Sequence, residues 1–309
     1  MKPTLLLIVG PTASGKKKLA LAAAERFNGE IVSADSRKVY RHLDIGTAKP
    51  SPEDRVRIPH HLIDIVDPDE PFSAGAWVER AAAAIKDILG RGRLPVISGG
   101  TGFYIEVFRE GLSEGILPDP GVRKRLEAEC ARLGTAAMHE KLAAVDPGRA
   151  AELHVNDTFR ILRALEVFQT TGKTITELKR GGRITGGDYG YSAIGVTVPR
   201  KTLYSRIDER VDIMVARGLL DELKGILGMG YSRDVPALDT VGYKEWFPLL
   251  DGQKTVDECL EDVKRNTRRY AKRQMTWFRA REYIRWVDVT DYGDFGGILD
   301  DIEPSLVKK

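Results

Sequence analysis

Thr4-Leu5-Leu6-Leu7-Ile8-Val9, then Gly10-Pro11-Thr12-Ala13-Ser14-Gly15-Lys16, then the alanine- and leucine-rich Leu19–Phe27, is the stretch on which the fold turns. A short apolar run, a glycine-rich loop and a helix-forming segment follow one another without a gap, and the loop fits G-x-x-x-x-G-K. The spacing has a physical reason. Glycines let the backbone curl until successive N–H groups point inward as an anion nest. The helix that follows brings its positive end to the same point. Lys16 adds a mobile point charge for a phosphate. A chance glycine turn would lack the flanking strand and helix. One position breaks the pattern. After Lys16 a Ser or Thr is usual, and its hydroxyl holds Mg²⁺. Here Lys17 stands there, followed by Lys18. A charged ammonium repels a metal, so a phosphate cradle without its usual metal hydroxyl is expected.

The chain has 309 residues, enough for one large or two modest domains with ample core. Apolar content of 42% and charged content of 30% suit a globular protein, and the net charge of +3 is mild. The two cysteines, Cys130 and Cys259, lie far apart with no C-x-x-C pattern. That speaks against a disulfide framework or zinc site and for a reducing, cytoplasmic setting. No apolar run approaches the ~18 residues of a membrane span, and no signal peptide is expected.

Outward from the loop, Glu30-Ile31-Val32-Ser33-Ala34-Asp35 reads as a second strand with a carboxylate at its end. Ligands of open α/β sheets sit at the carboxyl ends of strands. Asp35 is therefore expected near the phosphate loop if the two strands are neighbours; the competing reading is a helix N-cap. The adjacent His60 and His61 point opposite ways on a strand, so a shared metal is not expected. Ser73 is a candidate N-cap for a helix whose apolar face is Trp77, Ala81, Ala84, Ile85, Ile88 and Leu89. Leu94–Ser98 reads as a third parallel strand, and Gly99-Gly100-Thr101-Gly102 is a second glycine-rich loop at its end. A P-loop kinase would usually carry a Walker-B aspartate there. Lys16, Asp35 and Thr101 are expected to converge on one crevice.

Composition shifts after Gly115. Residues 119–180 read as helices: Val122–Leu133, Ala136–Val145, Pro147–Leu153 and Thr158–Gly172. Arg160 and Arg163 share a face of the last, either as a solvated face or as a contact. The Gly- and Arg-rich loop Arg180–Tyr189 marks a second boundary. Ser192–Pro199 returns to strand character, and the helix Thr202–Gly218 carries Arg206 and Arg210 on one face. The predicted fold is α/β: a P-loop NTPase-like parallel sheet flanked by helices, formed by residues 1–115 and 188–309, with an inserted all-helical domain at 116–187. Lys264–Arg285 holds nine basic residues against one acid, Glu282. Lys264, Arg268 and Lys272 form one row with Arg265, Arg269 and Arg273 beside it, while Val263, Tyr270 and Trp277 recur on another face. A basic stripe with interleaved aromatics suits a nucleic-acid backbone; a solvated helix would normally mix in acids.

Gly10–Lys16, Ala34–Tyr40, Asp44–Pro50, Gly99–Gly102, Arg160–Val167, Val241–Lys244 and Tyr270–Arg279 occur in an order that resembles the tRNA dimethylallyltransferase family, from about residue 4 to about residue 287. The resemblance implies transfer of a dimethylallyl group from dimethylallyl diphosphate to N6 of adenosine 37, beside the anticodon. It implies that Gly10, Pro11, Thr12, Ala13, Ser14, Gly15, Lys16 and Lys17 hold a diphosphate leaving group and hydrolyse no nucleotide. It implies Asp35 as general base, Thr101 at the reacting centre and Arg210 on the diphosphate, with Mg²⁺ as cofactor. The implied tRNA contacts are Asp35, Ser36, Arg37 and Lys38; Thr101 and Arg123; Phe159, Arg160, Ile161, Leu162 and Arg163; Asp239, Thr240, Val241, Gly242, Tyr243 and Lys244; and Lys272, Arg273, Gln274, Met275, Thr276, Trp277, Phe278 and Arg279. The tRNA anticodon stem-loop is the implied partner, with no membrane and a monomeric protein.

Three positions depart from the family pattern. Lys17 replaces Thr or Ser, Lys38 stands where many members have Gln or an apolar residue, and Val155 replaces Pro. The other readings are a small-metabolite P-loop kinase, an adenylate isopentenyltransferase acting on free nucleotides, and a tRNA-binding homologue impaired through Lys17. The Gly99–Gly102 ending and the basic helix speak against the kinase. The helical insert and the Lys264–Arg279 stripe favour tRNA over free nucleotides.

Overall fold

Among the described residues eight strands organise the chain: β1 Thr4–Val9, β2 Gly29–Ser33, β3 His60–His61, β4 Leu94–Gly99, β5 Leu112–Ser113, β6 Arg183–Ile184, β7 Gly190–Thr197 and β8 Arg285–Asp288. The computed structural model describes residues 2–113, 119–178, 183–184, 186–290 and 295–306. The composition shift at Gly115 and the start of the second boundary loop, at 180–182, lie outside the described residues. The chain divides into two compact units: Met1–Glu106 with Gly186–Lys309, and Val107–Thr185.

The first unit is built on a parallel six-stranded sheet in the order β3-β2-β4-β1-β7-β8, as the alternation of apolar runs and helices predicts. Strand β1 lies inside it, with Val9 opposite Gly99 of β4 on one side and Gly195 of β7 on the other. Leu5, Leu6, Leu7 and Ile8 are all fully buried. A central parallel strand is covered on both faces, which is why β1 reads as an unbroken apolar run rather than an alternation. The helix Ala74–Gly90 begins at Ser73, whose side chain accepts the Ala76 N–H, as the sequence predicts. Its Trp77 is fully buried, donates to Ser33 O at 2.9 Å and stacks on Tyr104 with ring centroids 5.0 Å apart.

Strands β1 and β2 are not neighbours, because β4 runs between them. The end of β4 nevertheless lies hard against the end of β2. A Cβ on Gly99 would stand 2.0 Å from Ala34 O, and the Thr101 N–H donates to that same oxygen at 3.1 Å. A side chain at position 99 would force the strand ends apart.

A second core in this unit joins Val39, Leu43 and Val66 to Leu219, Leu223, Tyr243, Trp246 and Val263. Glu222 ties its loops together. Its carboxylate accepts the N–H groups of Asp44, Ile45 and Gly46 at 2.8, 2.7 and 3.1 Å and the Tyr243 hydroxyl at 2.5 Å. The long helix Val256–Arg279 starts with a complete capping box, Thr255 and Glu258. Strand β8, which pairs with β7, was not expected. Its sequence Arg-Trp-Val-Asp has too little apolar pattern to stand out.

The second unit packs the helices Pro120–Leu133, Thr135–Val145, Pro147–Glu152 and Thr158–Thr171 around Val122, Leu126, Met138, Leu142, Ile161 and Leu165. Asp119, Asp146 and Asp157 cap three of them through side-chain oxygens. The unit is not all-helical: β5 and β6 form an antiparallel pair. Two-residue strands carry no periodicity that could be read from the sequence.

Gly99→Ala is expected to destabilise the protein by roughly 1–3 kcal/mol, the usual range for overpacking. The reading is a lower urea midpoint at unchanged slope.

Candidate active site

The phosphate loop has the backbone its glycines permit. Gly10 and Gly15 have φ of +149° and +99°, a region that side chains rarely adopt. The helix Lys16–Arg26 begins with no side-chain cap and no acid in its first turn. In its first turn the Lys18 N–H bonds back to Gly15 O at 3.0 Å; the N–H groups ahead of it stand at the uncapped end, where a helix leaves donors for an anion. Lys16 Nζ donates to Pro11 O at 3.0 Å, and Arg210 Nη1 donates to Thr12 Oγ1 at 3.0 Å. Ser14 Oγ is buried without a hydrogen-bond partner among the described residues.

Gln274, on the long basic helix, holds the loop in place. Its Oε1 accepts the Thr12 N–H at 2.8 Å and its Nε2 donates to Gly100 O at 2.9 Å. One buried amide thus bridges the two glycine-rich loops. The glycines of the second loop allow the approach: a Cβ on Gly100 would stand 2.1 Å from Gln274 Nε2, and one on Gly102 2.2 Å from Trp277 Cδ1.

A cavity of about 840 Å³ opens beside the loop, lined by Thr12, Lys16, Lys17, Asp35, Lys38, Arg210, Asp239, Tyr270, Arg273 and Gln274 among others. Lys16 and Asp35 therefore do share one crevice. Thr101 is not among its lining residues; its hydroxyl accepts the Ser36 N–H at 3.0 Å. Asp35 caps no helix. Its Oδ1 accepts the N–H of Arg37 at 2.9 Å and of Lys38 at 3.4 Å, a local turn, and its Oδ2 accepts nothing among the described residues. The carboxylate is thus held at one oxygen and open at the other. Burial, with Lys38 close by, pulls the Lys16 ammonium down to about 7. Burial also lowers Lys38 to about 8, although Asp35 works in the opposite sense. The Tyr270 hydroxyl is pushed up to about 12 by burial and then by Asp35.

Lys17 lines the cavity, but its ammonium pairs with Asp54 Oδ2 at 2.7 Å. The Thr12 hydroxyl is engaged by Arg210, and no three His, Cys, Asp or Glu side chains among the described residues group as a metal site. The protein's own donors therefore do not fit a divalent ion held at the position after Lys16.

The segments carried over as tRNA contacts divide by burial. Phe159 is 70% exposed with Arg123 stacked over its ring at 5.1 Å, and Arg160 is exposed beside Asp157. Arg123 also pairs with Glu127, and Arg163 with Glu166. Ile161 and Leu162 are buried in the second unit's core, because they lie on the helix's apolar face. Tyr243 is fully buried on Glu222, Phe278 is buried, and Gln274 faces the loops. These five side chains are turned inward and offer no outer surface to a partner. Asp239 pairs with Lys244 at 2.9 Å.

The basic stripe also splits. Lys264 and Arg268 pair with Asp212 and Asp208 of the helix Arg200–Ala216, at 2.7 and 2.5 Å, and Arg265 pairs with Asp262. The sequence expectation of an acid-free row fails there, because the acids come from a distant helix. Arg269, Lys272 and Arg273 are exposed and line a shallow groove with Thr276 and Trp277.

Fold and site together define a phosphate-loop-like α/β protein with a cationic cavity that carries a carboxylate. A family model described as IPP transferase matches residues 38–281, and the chain belongs to that family. It is 47% identical over 301 residues to a tRNA dimethylallyltransferase of Geobacter metallireducens, covering 97% of each chain. The crystal structure of a tRNA isopentenylpyrophosphate transferase from Bacillus halodurans superposes with a TM-score of 0.72 at 42% identity, covering 99% of this chain and 96% of that one. A eukaryotic dimethylallyltransferase acting on tRNA gives a TM-score of 0.82 at 30% identity, covering 98% and 78%.

Anion binding at the loop should follow the Lys16 ammonium. Sulfate does not titrate in this range. Its affinity is expected to fall as pH rises from about 6 to about 9, first as Lys16 and then as Lys38 loses its proton. Calorimetry across pH tests this; Lys16→Met should remove the earlier part of the fall.

Proposed function

We propose that the protein transfers a dimethylallyl group from dimethylallyl diphosphate to N6 of adenosine 37 in the anticodon stem-loop of tRNA. The observation that carries the reading is a carboxylate with one open oxygen, Asp35 Oδ2, in the same cavity as an uncapped phosphate loop. The names of the relatives, which are tRNA-modifying transferases, support it.

The chemistry follows from these groups. The exocyclic amine of adenine is a poor nucleophile, and a carboxylate within hydrogen-bond reach orients it and accepts a proton. As the N6–carbon bond forms, the carbon–oxygen bond to diphosphate breaks, and the leaving group takes the electron pair. Its growing charge is met by Lys16, Arg210 and the loop N–H groups. Adenine has to be unstacked to reach the donor, and single-stranded loops permit that. Arg269, Lys272 and Arg273 supply exposed charge for the RNA backbone, and Phe159 an exposed ring on which a base can stack. The donor set on the protein side assigns no step to Mg²⁺.

Incubation with labelled dimethylallyl diphosphate and either tRNA or AMP tests the reading. Mass spectrometry of tRNA nucleosides should show N6-dimethylallyladenosine; product from AMP alone would overturn the tRNA assignment. Asp35→Ala is expected to lower kcat by ~10²–10⁴-fold with little change in tRNA affinity, since a general base typically contributes that much. Replacing Lys272 and Arg273 together with Ala should flatten the slope of log K against log salt by ~1–2, the count of lost phosphate contacts.

A further inference from the structure

The lysines around the cavity differ in what they touch. Lys17 is held by Asp54 and Lys244 by Asp239, while Lys16 donates to the loop carbonyl of Pro11. Lys49, behind the wall, is enclosed by Asp44, Asp64 and Tyr40 O. Lys38 lines the same cavity, and its ammonium makes no hydrogen bond and no ion pair among the described residues. Asp35 is the acid that acts on both Lys16 and Lys38, so one carboxylate stands against two ammoniums. Lys38 is half-buried, and a cation partly drawn out of water without an acceptor gains when a ligand supplies the counter-charge.

The neighbours indicate which ligand. After burial, Lys38 is the group that most perturbs Lys16, and Arg210 and Lys17 also act on Lys38. Lys16, Lys38 and Arg210 line one cavity and lower one another's hold on protons there, and cations so grouped are placed to grip one multiply charged anion. Meanwhile the position after Lys16 offers no hydroxyl, and its ammonium is turned to Asp54.

We propose that Lys38 is a diphosphate-binding residue whose ammonium supplies part of the counter-charge for which a hydroxyl-held metal has no ligand here. The inference rests on the reading of the cavity as a dimethylallyl diphosphate site. It moves Lys38 from the RNA-contacting set to the leaving-group set. Burial, which holds its pKa at about 8, is consistent with a site whose charge is completed by an anion.

The test is calorimetric titration of the full-length protein with inorganic diphosphate in EDTA, for the parent and for Lys38→Gln, Lys38→Met and Lys38→Arg. The parent is expected to bind without any divalent ion. The Gln and Met variants should bind roughly ten- to a hundredfold more weakly, the worth of one charge-assisted hydrogen bond, and Arg should restore most of the loss. Folding is checked by melting without ligand, where Lys38→Met should melt at or above the parent because an uncompensated charge is gone. The shift in Tm on adding diphosphate should shrink in the same variant. Unchanged diphosphate binding in the Gln and Met variants, with weakened tRNA binding, would overturn the proposal and return Lys38 to the RNA. A parent that binds no diphosphate even with Mg²⁺ would overturn the reading of the cavity itself, a result distinct from the failure of Lys38 alone.

Discussion

The side-chain amide of Gln274 holds the site together. It accepts from one glycine-rich loop and donates to the other, and both bonds run from a helix far along the chain. An amide presents a donor and an acceptor a fixed distance apart, so the spacing of the Thr12 N–H and the Gly100 carbonyl is set by covalent geometry. Gly100 and Gly102 lack side chains because the helix lies where a Cβ would be. The same helix carries Tyr270 and Arg273 into the cavity wall and Arg269 and Lys272 to the surface. Phosphate loop, second loop and basic surface are thus tied together through one helix, not three motifs that happen to be near one another.

Charge in this molecule is sorted by what surrounds it. Along the basic helix the first turns are neutralised by Asp212, Asp208 and Asp262, and the later ones are left open. In the cavity the order is reversed: the cations are enclosed and the acids few, so burial weakens their hold on protons. Pairs of the first kind keep one partner open to water and contribute modestly to stability. Enclosed cations of the second kind oppose folding slightly and favour an anion, which is the trade a binding site makes.

What could be read from the sequence was local. The strand, loop and helix at 4–27, the Ser73 cap, the carboxylate at the end of β2 and the helices of the second unit follow from periodicity and turn chemistry within a few residues. What could not be read was long-range. Strand β4 intervenes between β1 and β2, yet Asp35 still reaches the cavity because Gly99 lets the strand ends meet. The acids that neutralise Lys264 and Arg268 sit about fifty or sixty positions away, on another helix. The bridging role of Gln274 and the inward turn of Tyr243 depend on partners no window of sequence contains. Lys17 was legible as an exception, but its acceptor, Asp54, was not.

The antiparallel pair β5–β6 has a consequence for how the chain folds. The central pairing of β1 with β7 joins residues separated by most of the first two hundred positions, and the entropy of closing a loop grows with its length. Leu112–Ser113 and Arg183–Ile184 lie at the two ends of the second unit and are hydrogen-bonded to each other. Once that unit has formed from its own short-range helix contacts, its ends are already together. The remaining chain then closes its sheet across a far shorter effective contour. The insert is a long detour in sequence and a short one in the search for the native state.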